Sequence, residues 1–471
     1  ALAAGWLIST RPGHRIEGDF LEREQAFRVD DWLLAQATTN TIAEQRARAC
    51  LTLGRIGDPV GRPALIEGLA SHAPSVRAMA AFGLGLMEDA EYLEGREPDQ
   101  QAADALLVAL GDDERQVVAY AVEALGRMRW KPAAEALTQT PAPMVYTLTA
   151  LARMNARELI PWIARALSSN DQDIRWAAAV TLNTMRAPCD EGIRRSFSNL
   201  TRDRNAFVRA AVTQGLGRCE LDDQAVEALR RSAADPDPKV RIEAAWAAAR
   251  TGDERVRELI TALAGDAHPA VTEQAAGLVE LAGGAARAHW EDRARRAGRV
   301  LDLRSPLPTL PLPVTKEPRE TAEPFAPHEL QEIARRTGRN LVMETPEGSF
   351  PLTLDYEHAP LAAERFYNMA VAAQFDGQPF SVLPNDYAQI PAKPSSPLLT
   401  PEPSPAPFLR GSLGMVRASR TTDAPEFFIA LTPLPGAEGR YTNFGRLLAG
   451  DDVLDRLRSG TRVLRIRPSE E

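Results

Sequence analysis

One apolar pattern recurs eight times between residues 41 and 285, and it restricts most of this chain to stacked helices. The copies are EQRARACLTLGRI, SVRAMAAFGLGLM, QVVAYAVEALGRM, MVYTLTALARMNA, DIRWAAAVTLNTM, FVRAAVTQGLGRC, KVRIEAAWAAART and AVTEQAAGLVELA. They share a register at positions 45, 76, 117, 145, 174, 208, 240 and 271. The spacing is mostly about thirty residues, the length of one helical hairpin in a repeat array. Each copy has apolar or alanine positions three and four residues apart, which line one helix face. A shorter amphipathic run precedes each copy, as in ALIEGLASHAPSV and ELIPWIARALSSNDQDI, so the unit reads helix, turn, helix. A single hairpin cannot bury such a face alone, and the copies are expected to stack into a curved solenoid.

The turns repeat their chemistry as well as their length. SNDQD, TRDRNA, ADPDP and GDAHP set Asp or Asn ahead of the second helix, where a side-chain oxygen caps free backbone N–H groups. Arg77, Arg175, Arg209 and Arg241 then recur one residue after the apolar anchor. Asp followed by Arg at a fixed offset resembles HEAT repeats and the related bilin-lyase type of repeat. That resemblance implies arginines paired with turn aspartates, tying hairpin to hairpin, and an array that binds other proteins. A single-copy functional site would not recur in register, so these arginines are read as structural. Gly83, Gly85, Gly215, Gly217 and the alanines at 244, 245, 247, 248 and 249 are read as close helix contacts.

After Val300 the pattern stops. Prolines at 306, 308, 311, 313, 318, 324 and 327 exclude a helix and read as an extended linker. The chain is therefore divided into an N-terminal helical segment (1–40), a solenoid of about eight hairpins (41–300), a Pro-rich linker (301–327) and a last domain (328–471). In that domain a short helix HELQEIARRTG leads to the strand NLVMETPEG, a turn at Thr-Pro-Glu-Gly, SFPLTLDYE, and the helix PLAAERFYNMAVAAQ. Further on, GSLGMV, EFFIAL and YTNFGRLL are three more strand candidates.

These segments, with GMV, FFI and RYTNFGRL at their distances, resemble the cyclophilin-type peptidyl-prolyl isomerase barrel over residues 339–466. The fold class this implies is an all-α HEAT-like α-solenoid followed by a mainly β closed barrel of cyclophilin type with two or more helices. In the family, an arginine hydrogen-bonds the substrate around its proline and a phenylalanine with apolar neighbours holds the ring. The usual motif FHRV(I/V)P becomes PFSVLPNDYAQIP, so Ser381 takes the arginine position and Gln389 keeps the glutamine. Asp386 and Tyr387 stand at two apolar pocket positions, and Val416 and Arg417 where the family binds substrate backbone. Phe428 keeps the pocket phenylalanine, the following loop falls on Gly436 and Ala437, and the family's histidine on Tyr441.

The resemblance thus assigns Ser381, Gln389 and Arg417 to the catalytic positions, and Tyr387, Val416, Phe428, Ala437 and Tyr441 to substrate binding. Serine cannot reach as arginine does, and losing a preorganised donor costs on the order of 3 kcal/mol. Arg417 is the substitute donor to consider. The expected function is an isomerase of X–Pro bonds in protein clients recruited by the solenoid, with weak or lost catalysis; the alternative is a non-catalytic interaction scaffold. Between Gln389 and Gly411 run seven prolines, read either as a divergent surface loop or as a built-in pseudo-substrate over the groove.

Other chemistries find no pattern. Six scattered histidines include no HExxH, and the chain has no GxSxG, Walker loop or GxGxxG, so neither metal nor cofactor is expected. His358, in the turn YEHAP, is read as structural. A formal charge of −9 disfavours nucleic acid as the main partner, and the basic run at 286–299 carries acids too. No stretch is long and apolar enough to span a membrane. Cys50, Cys189 and Cys219 are odd in number and far apart, which indicates neither a disulfide framework nor a zinc site. The opening ALAAGWLIST is read equally as the remnant of an export signal or as a helix turn, leaving exported, periplasmic and cytoplasmic locations open.

Overall fold

The computed structural model describes residues 18–93, 95–142, 144–282, 324–383, 387–391, 398–417, 422–434 and 437–469. The basic run at 286–299, most of the Pro-rich linker, Asp386 and Gly436 lie outside the described residues. The chain divides into two compact units, residues 1–154 together with 310–471, and residues 155–309. No described helix is long and apolar enough to cross a membrane.

Each of the eight register positions falls in a helix. In the first unit these are Ala43–Ile56, Pro74–Met87, Arg115–Arg127 and Met144–Met154; in the second, Gln172–Thr184, Ala206–Leu216, Pro238–Thr251 and Pro269–Ala282. Asp171, Asn205 and Asp237 cap the starts of their helices through side-chain oxygens, as the turn chemistry requires. Successive second helices touch through their small residues. A Cβ on Gly126 would lie 2.8 Å from the Ala150 Cα, and one on Gly217 2.8 Å from the Ala247 Cα.

The repeated arginines form a ladder. Arg209 donates from Nε and Nη2 to Asp235 at 2.7 and 2.8 Å, and Arg241 grips Asp266 in the same way at 2.8 Å twice. Arg175 reaches Asp203 at 2.7 Å, and in the first unit Arg77 reaches Asp112 at 2.6 and 2.8 Å. Each aspartate also accepts a backbone N–H two residues on, at Glu114, Asn205, Asp237 and His268. The planar guanidinium fork suits this two-point grip. The bond from Arg77 holds the Asp112 carboxyl below its usual range, and Arg241 does the same for Asp266.

A disulfide joins Cys189 to Cys219 in the second unit, with Cα atoms 5.2 Å apart. This corrects the reading that the spacing and odd number of the cysteines indicate no disulfide. The two cysteines are 30 residues apart, about one repeat, so they occupy neighbouring hairpins whose ends stack. Cys219→Ser is expected to lower the unfolding free energy of the full chain by about 3 kcal/mol, read from urea denaturation with and without reductant. Cys50 stays a buried thiol, pushed up to about 12 by burial.

The C-terminal part of the first unit is one antiparallel sheet: β1 Asn340–Thr345, β2 Gly348–Leu354, β3 Ser381–Leu383, β4 Tyr387–Ile390, β5 Ser412–Arg417, β6 Asp423–Ala430, β7 Asn443–Leu447 and β8 Arg465–Pro468. Their order across the sheet is β3-β4-β6-β5-β7-β2-β1-β8. The expected closed barrel is met as a curled sheet, with β3 and β8 at its ends and no ladder between them among the described residues. The segments just before these two strands are joined instead, by Phe380 N to Thr461 O and Val463 N to Gln378 O. Pro379 has no N–H to extend that join into a ladder.

Alternation along each strand splits the interior in two. Phe427 and Ile429 face the main core with Leu341, Met343, Phe350 and Phe444, closed by Phe366 of helix Pro360–Val371. Leu21, from helix Gly18–Ala26, belongs to this same core, and that helix packs on Pro327–Ile333. Gln25 fixes the contact by exchanging two hydrogen bonds with the Phe325 backbone. Helix Gly18–Ala26, from the stretch expected to be an N-terminal helical segment, therefore adds Leu21 to the core under the sheet.

Candidate active site

The other sheet face carries the residues singled out from the sequence. Ser381 pairs with Gln389, Gln389 with Phe428, and Phe428 with Gly414, a single row across β3, β4, β6 and β5. Directly opposed residues of antiparallel strands share a face, so the row is brought together by register alone. Tyr387, Val416, Phe428, Ala437 and Tyr441 form a second buried cluster with a sixth member, Phe408. Phe428 sits at its centre, 5.7 Å from the rings of Tyr387 and Tyr441, both edge-on.

Phe408 belongs to the proline-rich segment, and its ring stacks on Phe428 with centroids 5.6 Å apart. Its carbonyl accepts Leu434 N at 2.8 Å, while the Pro407 carbonyl accepts Asn443 Nδ2 at 2.9 Å. Gly414 makes room: a Cβ there would run into the Phe428 ring and lie 2.7 Å from Phe408 Cε1. Phe408 and Phe428 are both fully buried, so the face of the Phe428 ring is covered by the chain's own side chain.

The positions that the family likeness assigns to catalysis look different. Ser381 is exposed on the edge strand β3. Gln389 donates from Nε2 to Glu426 Oε2 at 2.6 Å. Arg417 is buried, with Nε 2.9 Å from Asp423 Oδ1 and Nη2 donating to the Arg440 carbonyl. Burial pushes Asp423 up to about 6 against the opposing Arg417 charge and a hydrogen bond from Thr442. Among the described residues no group of three or more side chains could hold a metal.

Two helical-array arginines that the sequence reading did not single out hold the rim of this face. Arg55, from Ala43–Ile56, donates to the Pro403 carbonyl at 3.0 Å and to the His358 carbonyl, while pairing with Glu24 at 2.9 Å. Arg127, from Arg115–Arg127, donates to the carbonyls of Gly439 and Glu438. The stretch after Pro74–Met87 adds Glu91, 2.9 Å from Arg440, and Tyr92, within the field of Arg417 and Arg440. One signal for this insertion exists in the sequence: the register step from 76 to 117 is longer than the others. His358 keeps its structural role, with Nδ1 2.7 Å from Asp355.

Glu402, beside Arg55, also anchors the proline-rich segment. Its Oε2 accepts Ala362 N at 2.7 Å, in the first turn of Pro360–Val371, and its own N–H donates to Thr442 Oγ1. Burial, only partly opposed by the Arg55 charge, pushes Glu402 up to about 8. A carboxyl whose folded pKa is raised stabilises most below its unfolded value, and loses that contribution as pH climbs through the folded one. Glu402→Gln keeps the acceptor without the charge. It is expected to flatten the fall in stability between about pH 4.5 and 8, measured by urea unfolding across that range.

The geometry defines a helical-repeat array bearing a curled antiparallel sheet, one face of which is covered by Phe408 stacked on Phe428. Residues 31–125 and 195–279 match the family model of HEAT repeats, and residues 340–471 match that of the cyclophilin type peptidyl-prolyl cis-trans isomerase. The chain thus carries HEAT repeats and a cyclophilin-type isomerase domain. It is 28% identical over 129 residues to peptidyl-prolyl cis-trans isomerase-like 1 of Rhizopus delemar, covering 25% of this chain and 78% of that one. It is 27% identical over 133 residues to the isomerase ppi1 of Schizosaccharomyces pombe, covering 25% and 84%. Among solved structures, a cyclophilin type isomerase of Cryptosporidium parvum aligns at 17% identity and a TM-score of 0.27, covering 28% of this chain and 99% of the other.

Proposed function

We propose that this chain is a cyclophilin-family protein with weak or lost isomerase catalysis that works as a scaffold for protein partners held by its HEAT repeats. The observation that carries this reading is Phe408 stacked on Phe428, where the ring of a substrate proline would sit. Ser381 in the arginine position, exposed and uncharged, supports it from the catalytic side. Arg417 does not supply the missing donor, because its guanidinium is taken up by Asp423 and the Arg440 carbonyl. The test is a protease-coupled proline isomerisation assay on the full chain, since Leu21 and helix Gly18–Ala26 complete the domain core. No acceleration over the uncatalysed relaxation, which takes tens of seconds or more, is expected. Turnover within about tenfold of an arginine-bearing cyclophilin would overturn the reading, because the missing donor alone is worth a factor of hundreds.

A further inference from the structure

The two arginines that grip the cyclophilin loops occupy one repeat position, ten residues after the register residue: Arg55 follows Gln45, and Arg127 follows Val117. The same position holds Arg218 after Val208 and Arg250 after Val240 in the second unit. Six residues after the register, the side chains of the first unit are Leu51, Phe82, Glu123 and Leu151, all buried. Their counterparts in the second unit, Val180, Gln214 and Trp246, are only half-buried, as are Arg218 and Arg250. A face covered in one set of hairpins is therefore partly open in the other, with its arginines kept.

The open face is positive and has an aromatic shelf. The Arg250 guanidinium lies 5.5 Å from the Trp246 ring centroid, and among the described residues the nearest carboxylate oxygen, on Glu243, is 4.0 Å away. Arg218 spends its Nη atoms on the Asn183 carbonyl and side chain, but its Nε and that of Arg250 are buried without a hydrogen-bond partner among the described residues. Burial, then the charges of Arg250 and Arg186, pull Arg218 down to about 10, the direction expected where an anion is missing.

We propose that Arg218, Arg250 and Trp246 dock an extended, acidic, proline-containing segment of a partner protein, taking its backbone carbonyls as Arg55 takes that of Pro403 in this chain. The precedent supplies the backbone part of that chemistry, and the positive charge of the open face supplies the acidic part. Arg55 takes a backbone carbonyl at Pro403 with the Glu402 carboxyl 4.0 Å away, and a proline-rich strand leaves such carbonyls unpaired. An arginine pair with an aromatic neighbour recognises carbonyls and carboxylates on an extended backbone better than a lone lysine would.

The inference extends the reading of the array as the partner-binding part, yet it fails separately: an active isomerase would overturn the closed pocket and leave this surface untouched. The probe is a fluorescein-labelled peptide TPEPSPAPF, the sequence of residues 400–408, titrated against the full chain by anisotropy. Saturable binding is expected, weakened at least about tenfold by Arg218→Ala with Arg250→Ala and by a Glu-to-Gln change in the peptide. Arg195→Ala, which removes an exposed cation on Glu191–Leu200, should leave it unchanged. If the double variant fails to fold, Arg250→Glu alone carries the same expectation. Absence of saturable binding, or equal binding by the arginine variants and wild type, would overturn the proposal.

Discussion

Ser381→Arg alone is expected to leave the full chain without measurable isomerase activity, whereas Ser381→Arg combined with Phe408→Ala should accelerate X–Pro relaxation roughly a hundredfold or more. The first substitution restores the donor, whose absence costs on the order of 3 kcal/mol in transition-state stabilisation. It does not empty the pocket, because Phe408 stays stacked on Phe428 and tied to Leu434 N. The second substitution removes that ring. It leaves a cavity worth about 3–5 kcal/mol of stability, so urea unfolding must accompany the assay. A double variant that is folded and silent would show that more than these two residues closes the face. The stretch bearing Glu91 and Tyr92, clamped to Arg440, would then be the next segment to remove. An active Ser381→Arg single variant would mean that Phe408 leaves the pocket on its own.

Much of this architecture is legible in the chain because it is periodic. The eight registers fall in eight helices, and four repeat arginines each meet an Asp of the following turn, since both depend on spacing within one or two repeats. Strands β1, β2, β5, β6 and β7 are legible for the same reason, alternation over a few residues. The site row was reachable through the family likeness of PFSVLPNDYAQIP and EFFIAL. What could not be read are contacts that join distant parts of the chain. Arg55 and Pro403 lie 348 residues apart, and Arg127 and Gly439 312 apart. In the sequence, Arg55 and Arg127 look like part of a recurring Gly-Arg pair in the repeat, no different from Gly217-Arg218. Phe408 is likewise one apolar residue in a proline-rich loop until the fold sets it on Phe428. The disulfide was obscured by an odd cysteine count, though its separation of 30 residues matches the repeat.

Arg417→Ala is expected to destabilise the chain by about 3 kcal/mol or more without changing any isomerase rate, because the arginine acts on Asp423 and not on a peptide. Asp423 is fully buried at the start of β6, opposite Arg417 in the β5–β6 ladder, and also accepts from Thr442. With the guanidinium gone, its carboxylate has one hydroxyl left and no opposing charge in contact. Burial already pushes Asp423 up to about 6 with the arginine present. Without the arginine it rises further, and the folded state binds a proton that the unfolded state, with its ordinary value near 4, does not. The sign follows: the variant should lose least below about pH 4, where Asp423 is neutral in both states, and progressively more as pH rises through the raised folded value. Urea unfolding of wild type and variant at pH 5 and pH 8 measures the difference. Arg417→Met with Asp423→Leu should recover part of the loss and remove its pH dependence, since an apolar pair of similar size needs no charge desolvated. A loss that is equal at both pH values would mean that Asp423 is not the group Arg417 stabilises, and a fall in isomerase rate at constant stability would return Arg417 to the catalytic face.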